Sequence, residues 1–182
     1  FIRILALGRT RQSPLPGRLF GRHRGFVALA GLPGYFTATA ANVAFGWWSH
    51  DIGGHMEGIE DAELYVRWLQ FGVFSPILRL HSTQNPFHER RPWGWDAQTL
   101  ALARSAMRLR HALIPYLYSM AWQEHRGGPA LLRPMYHLYP EAPEAYRCPG
   151  QYAFGSELIA APFTSPCDRD TRLGRQVIWL PA

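Results

Sequence analysis

The chemistry-bearing residues of this chain fall in two short runs, each an apolar stretch that ends in polar side chains. One is Trp47-Trp48-Ser49-His50-Asp51-Ile52-Gly53-Gly54-His55; the other is Phe74-Ser75-Pro76-Ile77-Leu78-Arg79-Leu80-His81. Asp51 offers a two-oxygen acceptor, His81 a ring that donates or accepts, and Trp47 or Trp48 a flat apolar indole. Such a set suits a polyhydroxylated ring, whose hydroxyls need bidentate acceptors and fixed donors while its apolar face packs on indole. Other readings of the same residues stay open. His50, Asp51 and His55 are candidate ligands for a divalent metal, though without the helical pairing common in such sites. Asp51 could simply close a turn before Gly53-Gly54, the histidines could be structural, and the tryptophans could be core.

The elements that must position these residues follow from the pattern. Val43 to Trp48 reads as a strand buried on both faces, and a second apolar run, Phe74 to Leu80, as the next strand. Between them Asp61 can cap a helix carrying Leu64, Trp68 and Phe71 on one face. Strand, helix, strand is a parallel crossover, which puts Asp51 and His81 on neighbouring strand tips. After a polar loop from His81, Asp96 can cap a long helix striped by Leu102, Ala106, Leu109, Leu113, Leu117 and Met120. Pro115 should kink that helix and Gly127-Gly128 should end it. Short strand candidates follow at Ala130–Met135, Gln151–Phe154, Leu158–Ala161 and Gln176–Leu180.

Composition narrows the class. The chain has 182 residues, 47% hydrophobic and 14% aromatic, which argues for a folded origin rather than disorder. It has no run of eighteen apolar residues, so no membrane span is expected. Cys148 and Cys167 lack metal-type spacing and read as two ordinary thiols. All 19 basic residues are arginine, and the net charge of +6 lies wholly in residues 1–33, which hold six arginines and no acid. A basic nucleic-acid-binding arm is one reading of that stretch, although the expectation is no nucleic-acid partner.

Taken together and in order, four runs resemble glycoside hydrolase family 31. They are W-W-S-H-D-I-G-G-H, Glu63-Leu64-Tyr65-Val66-Arg67-Trp68, the run from Phe74 to His81, and Ile114-Pro115-Tyr116-Leu117-Tyr118. Arg133-Pro134, Gln151-Tyr152-Ala153-Phe154-Gly155 and Trp179-Leu180-Pro181 fit the family's continuation. The resemblance covers residues 34–182. It implies an α/β fold: the C-terminal part of a TIM (β/α)8 barrel over 34–128, then the first strands of a β-sandwich over 129–182. It implies a retaining α-glycosidase parent of α-glucosidase type, with α-xylosidase activity or a non-catalytic carbohydrate-binding chain as alternatives. The implied substrate contacts are Asp51, His81, Trp48 and Arg79, with no catalytic residue, metal or cofactor in this chain. The implied partner is an oligosaccharide or α-glucoside, and the implied address the bacterial cytoplasm.

The family's proton donor belongs to a run ending F-S-G-D-T that should fall within residues 1–33, and its nucleophile to an earlier strand. Neither is expected here. Residues 1–33 show no period and are studded with Gly, Pro and Arg, so they read as an irregular segment replacing the sixth barrel strand and its loop. Codon degeneracy offers a reason. Read one nucleotide later, Leu5 to Gly8 can spell S-R-W-A and Leu19 to His23 can spell F-S-G-D-T, which is the mark of a compensated frameshift, real or in the sequencing. A divergent loop is the alternative.

Overall fold

The crossover unit is present, and its parts trace to particular residues. The computed structural model describes residues 3–4, 19–55, 60–84 and 89–181. The first elements are β1 (Arg3–Ile4), α1 (Leu19–Asn42), β2 (Ser49–Asp51), α2 (Ala62–Val73) and β3 (Ile77–Arg79). Asp61 starts α2 as expected: its Oδ1 accepts from the Leu64 amide at 2.8 Å, satisfying a first-turn N–H. Leu64, Tyr65, Trp68, Leu69 and Phe71 of α2 are all buried, so the helix is wrapped rather than one-sided. β2 and β3 pair in parallel, Ser49 opposite Ile77, His50 opposite Leu78 and Asp51 opposite Arg79. Beyond the last pair, the Ile52 amide donates to the Arg79 carbonyl at 3.2 Å.

The turn from α2 into β3 is locked from a distance. The Arg110 guanidinium donates to the carbonyls of Val73 at 2.9 Å and Pro76 at 2.7 Å, and also to that of Ser75. Arg110 lies on α3 (Ala97–Ala112), which Asp96 caps by accepting from the Gln98 and Thr99 amides, both at 3.0 Å. α4 (Ile114–His125) follows at once. Ala106, Leu117 and Met120 of the expected stripe are buried, and Leu102, Leu109 and Leu113 pack against the same core.

The remainder is β4 (Leu132–Pro134), α5 (Pro143–Arg147), β5 (Tyr152–Phe154) and β6 (Leu158–Ala160). Their sheet runs β1-β6-β5-β4, antiparallel except where β1 lies parallel to β6. Tyr152 is fully buried and donates its hydroxyl to the Phe74 carbonyl at 2.8 Å, tying this sheet to the end of α2. No helix among the described residues is long and apolar enough to cross a membrane.

Four expectations need correction. Residues 19–33, expected to be irregular, are helical, because Phe26, Leu29, Pro33, Thr37 and Ala40 recur at three, four, four and three and are all buried. Pro33 is tolerated inside α1, where its carbonyl accepts from Thr37 Oγ1 at 2.6 Å. Most of the rest of 1–33, and with it the shifted-register reading, lies outside the described residues. The strand expected at Val43–Trp48 is a turn and an irregular lead-in with Val43, Phe45 and Trp47 exposed; the strand is Ser49–Asp51. The kinked helix is two helices that meet at Leu113, with Pro115 in the first turn of α4, where a missing N–H breaks no bond. Residues 176–180 form no strand: Trp179 instead exchanges hydrogen bonds with the Gln151 side chain, at 2.7 and 2.8 Å.

The Arg110 lock gives a test. Arg110→Met leaves three turn carbonyls without their charged donor and should lower unfolding free energy by about 3 kcal/mol in urea melts. A loss under about 0.5 kcal/mol would mean that water satisfies those carbonyls equally well.

Candidate functional site

Alternation along β2 sends His50 to one side of the ladder and Asp51 to the other. Asp51 stands at the tip between two basic side chains: Oδ1 forms an ion pair with Arg79, 2.9 Å from its Nε, and Oδ2 lies 2.6 Å from His55 Nδ1. His81 completes the group, its ring 5.1 Å from that of His55. The ligating atoms of Asp51, His55 and His81 all lie within 4.8 Å of one another. The tip pair expected from the sequence, Asp51 and His81, is therefore brought together, and Arg79 joins it. His55 Nδ1 is buried without a hydrogen-bond partner despite its short distance to Asp51, so the carboxylate keeps acceptor capacity beyond its ion pair with Arg79. A cation at this cluster would sit beside the Arg79 guanidinium. The arrangement is an acceptor set against two basic side chains.

His50 belongs elsewhere, which corrects the set His50, Asp51 and His55 as one ligand group. It is 5% exposed and stacks on Phe71 with ring centroids 4.4 Å apart. Trp68 Nε1 donates to its Nδ1 at 2.9 Å, so the ring proton sits on Nε2, which meets Ser75 Oγ at 2.9 Å. Ser75 in turn donates to the Phe71 carbonyl at 3.0 Å. A second ring proton would face the Trp68 N–H. Burial accordingly pushes His50 down to about 4, with the Asp51 charge pulling weakly the other way.

Trp48 also leaves the site. Its indole is 4% exposed and stacked on Phe36 at 4.4 Å, so it presents no face to a ligand. The exposed neighbour is Trp47, at 48%.

Two ties hold the loops that carry the group, and neither was visible in the pattern. Thr83 donates to the His55 carbonyl through its amide at 3.0 Å and its hydroxyl at 3.1 Å. Arg90 Nη2 donates to the carbonyls of Gly53 at 3.0 Å and Gly54 at 2.6 Å.

Residues 35–120 match the glycosyl hydrolases family 31 TIM-barrel domain. This segment belongs to glycoside hydrolase family 31. The neutral alpha-glucosidase C of Mus musculus is 36% identical over 135 residues, which is 74% of this chain and 15% of that protein. An alpha-xylosidase of Saccharolobus solfataricus is 34% identical over 124 residues, 66% of this chain and 17% of that one. Among solved structures, the cycloalternan-degrading enzyme of Trueperella pyogenes, in complex with a covalent intermediate, superposes with a TM-score of 0.64. It is 34% identical and is matched over 70% of this chain and 19% of its own. The chain thus spans about a sixth of the length of the curated relatives it matches. Within this family 31 segment, the β2–α2–β3 unit and its tip residues lie inside the matched barrel region.

The His50 environment predicts a pH effect. Its folded value is depressed below the ordinary 6.5, so its stabilising contribution is present above pH 6.5 and is lost as pH falls toward 4. Between pH 7.5 and 4.5 the chain should lose about 2 kcal/mol that a His50→Gln variant does not lose. Parallel pH profiles for the two proteins would show that His50 does not titrate in the way its partners require.

Proposed function

We propose that the protein is a retaining α-glycosidase acting on α-glucosides, and that this segment supplies its sugar-gripping side chains. β2 and β3 are read as the seventh and eighth barrel strands, α3 and α4 as the closing barrel helix, and β4 to β6 as the start of the following β-sandwich. Residues 34–128 and 129–182 are the corresponding domains. The parallel ladder with polar tips supports this reading, because barrel enzymes carry their chemistry at the C-terminal ends of their strands.

The carrying observation is the Asp51 carboxylate, ion-paired with Arg79 and gathered with His55 and His81 within 4.8 Å. In the proposed role Asp51 accepts from sugar hydroxyls and His81 and Arg79 donate to them. A retaining mechanism needs two further carboxylates about 5 Å apart, a nucleophile and an acid/base. The tip cluster of Asp51, His55 and His81 contains one carboxylate, committed to binding. Hydrolysis is accordingly assigned to the parent and not to these residues alone. An α-xyloside is the second candidate substrate, since an alpha-xylosidase matches at nearly the same identity as the alpha-glucosidase.

Calorimetric titration with methyl α-D-glucoside and methyl α-D-xyloside tests this. The chain should bind the glucoside more tightly, and Asp51→Ala should weaken binding by about 10- to 100-fold, the loss of one or two charge-assisted hydrogen bonds. The chain should not hydrolyse p-nitrophenyl α-glucoside. Equal affinity of Asp51→Ala and the unaltered chain would overturn the assignment, and turnover would overturn the division of labour.

A further inference from the structure

We propose that Arg90 is a positioning residue for Asp51, acting as a clamp on the turn that follows it. The inference rests on the sugar-site reading only for its ligand measurement. The turn runs from Asp51 to Gly54 and closes with the Gly54 amide donating to the Asp51 carbonyl at 2.8 Å. Gly53 and Gly54 have φ of +89° and +91°, a region open to glycine and costly for other residues. This backbone aims two consecutive carbonyls at one point, and Arg90 Nη2 stands there, 3.0 Å from the Gly53 oxygen and 2.6 Å from that of Gly54.

The fit is close. A Cβ added at Gly53 would lie 2.8 Å from the Arg90 Cζ, so any side chain there would push the guanidinium away as well as strain the φ of +89°. The Arg90 main chain is fixed in turn: Tyr65, 1% exposed, donates its hydroxyl to the Arg90 carbonyl at 3.1 Å and stacks on Trp95. Nη1 donates to the Glu89 carbonyl at 3.0 Å, which sets the plane of the guanidinium. Burial disfavours its charge and holds it below the usual guanidinium range, and the carboxylates of Glu60, Asp51 and Glu89 offset part of that by attraction.

The physical consequence is preorganisation. Asp51 ends β2, His55 follows the turn, and the approach of His55 to Asp51 Oδ2 depends on where that turn lies. Thr83 ties the far side by bonding the His55 carbonyl. Without Arg90 the Gly53 and Gly54 carbonyls lose their shared donor, and two glycines leave the turn free to rotate. A planar fork serves converging carbonyls in a way that a lysine ammonium on a flexible stem does not.

The test uses the full 182-residue chain with Arg90→Ala and Arg90→Lys, and three measurements. Amide hydrogen exchange is followed at Gly54 and His55 and, as a reference, across α2 and α3. Methyl α-D-glucoside affinity and thermal midpoint are measured beside it. Arg90→Ala should speed exchange at Gly54 at least tenfold while α2 and α3 keep their protection, and should weaken the glucoside at least tenfold. Arg90→Lys, the milder change should alanine compromise folding, should recover less than half of either effect on a logarithmic scale. Unchanged Gly54 exchange, or acceleration spread equally over α2 and α3, would overturn the clamp. So would local loosening with affinity retained. If the unaltered chain does not bind the glucoside at all, the sugar reading fails, and the exchange measurement still decides whether Arg90 positions the turn.

Discussion

Three residue pairs carry the arrangement of this molecule's site. Ser49, His50 and Asp51 face Ile77, Leu78 and Arg79 across a parallel ladder, and side chains alternate on both strands. A slip of one residue would send Asp51 inward and His50 outward, exchanging a carboxylate for an imidazole at the tip. The register is specified from both sides. Inward, His50 is enclosed by Phe71, Trp68 and Ser75, each of which fits one feature of a neutral ring. Outward, Asp51 meets the guanidinium of its own cross-strand partner, Arg79.

The same ladder explains why a carboxylate only 20% exposed can serve as a fixed acceptor. An isolated surface ion pair contributes little to stability, because two long side chains must be held in one geometry against solvent and salt. Here the holding is done by other parts of the chain. Arg110 locks the turn entering β3, and Arg90 and Thr83 tie the loops leaving both strands. The contacts of Asp51 with His55 and Arg79 then cost little further ordering, and their value is direction more than strength. A hydroxyl-rich ligand gains most from acceptors already aimed.

Local signals in the sequence were accurate where one side chain decides a local structure. Asp61 and Asp96 cap helices because a carboxylate one residue before an apolar period has little else to do. Asp51 and His81 were legible as a pair for the same reason, each ending an apolar run. Legibility failed where the deciding partner is remote. Phe26 to Ala40 form a buried helical stripe, but it crosses Pro33 and Gly34 and uses Thr37 as an inward residue, so composition hid the period. Val43 to Trp48 looked like a buried strand because apolarity alone does not tell a core face from an exposed turn. Trp48 looked available because an indole near a polar cluster gives no hint of the Phe36 ring that covers it. Arg90 bonds main-chain carbonyls, which have no signature in the residue types they belong to.

The ladder itself can be measured. The account places the Ile52 amide on the Arg79 carbonyl, so a through-hydrogen-bond scalar coupling between the Ile52 nitrogen and the Arg79 carbonyl carbon should appear in solution NMR. Its detection would establish the register that puts Asp51 at the tip and His50 in the core. A coupling from Asp51 or Gly53 to that carbonyl, or no interstrand coupling between residues 49–52 and 77–79, would contradict it.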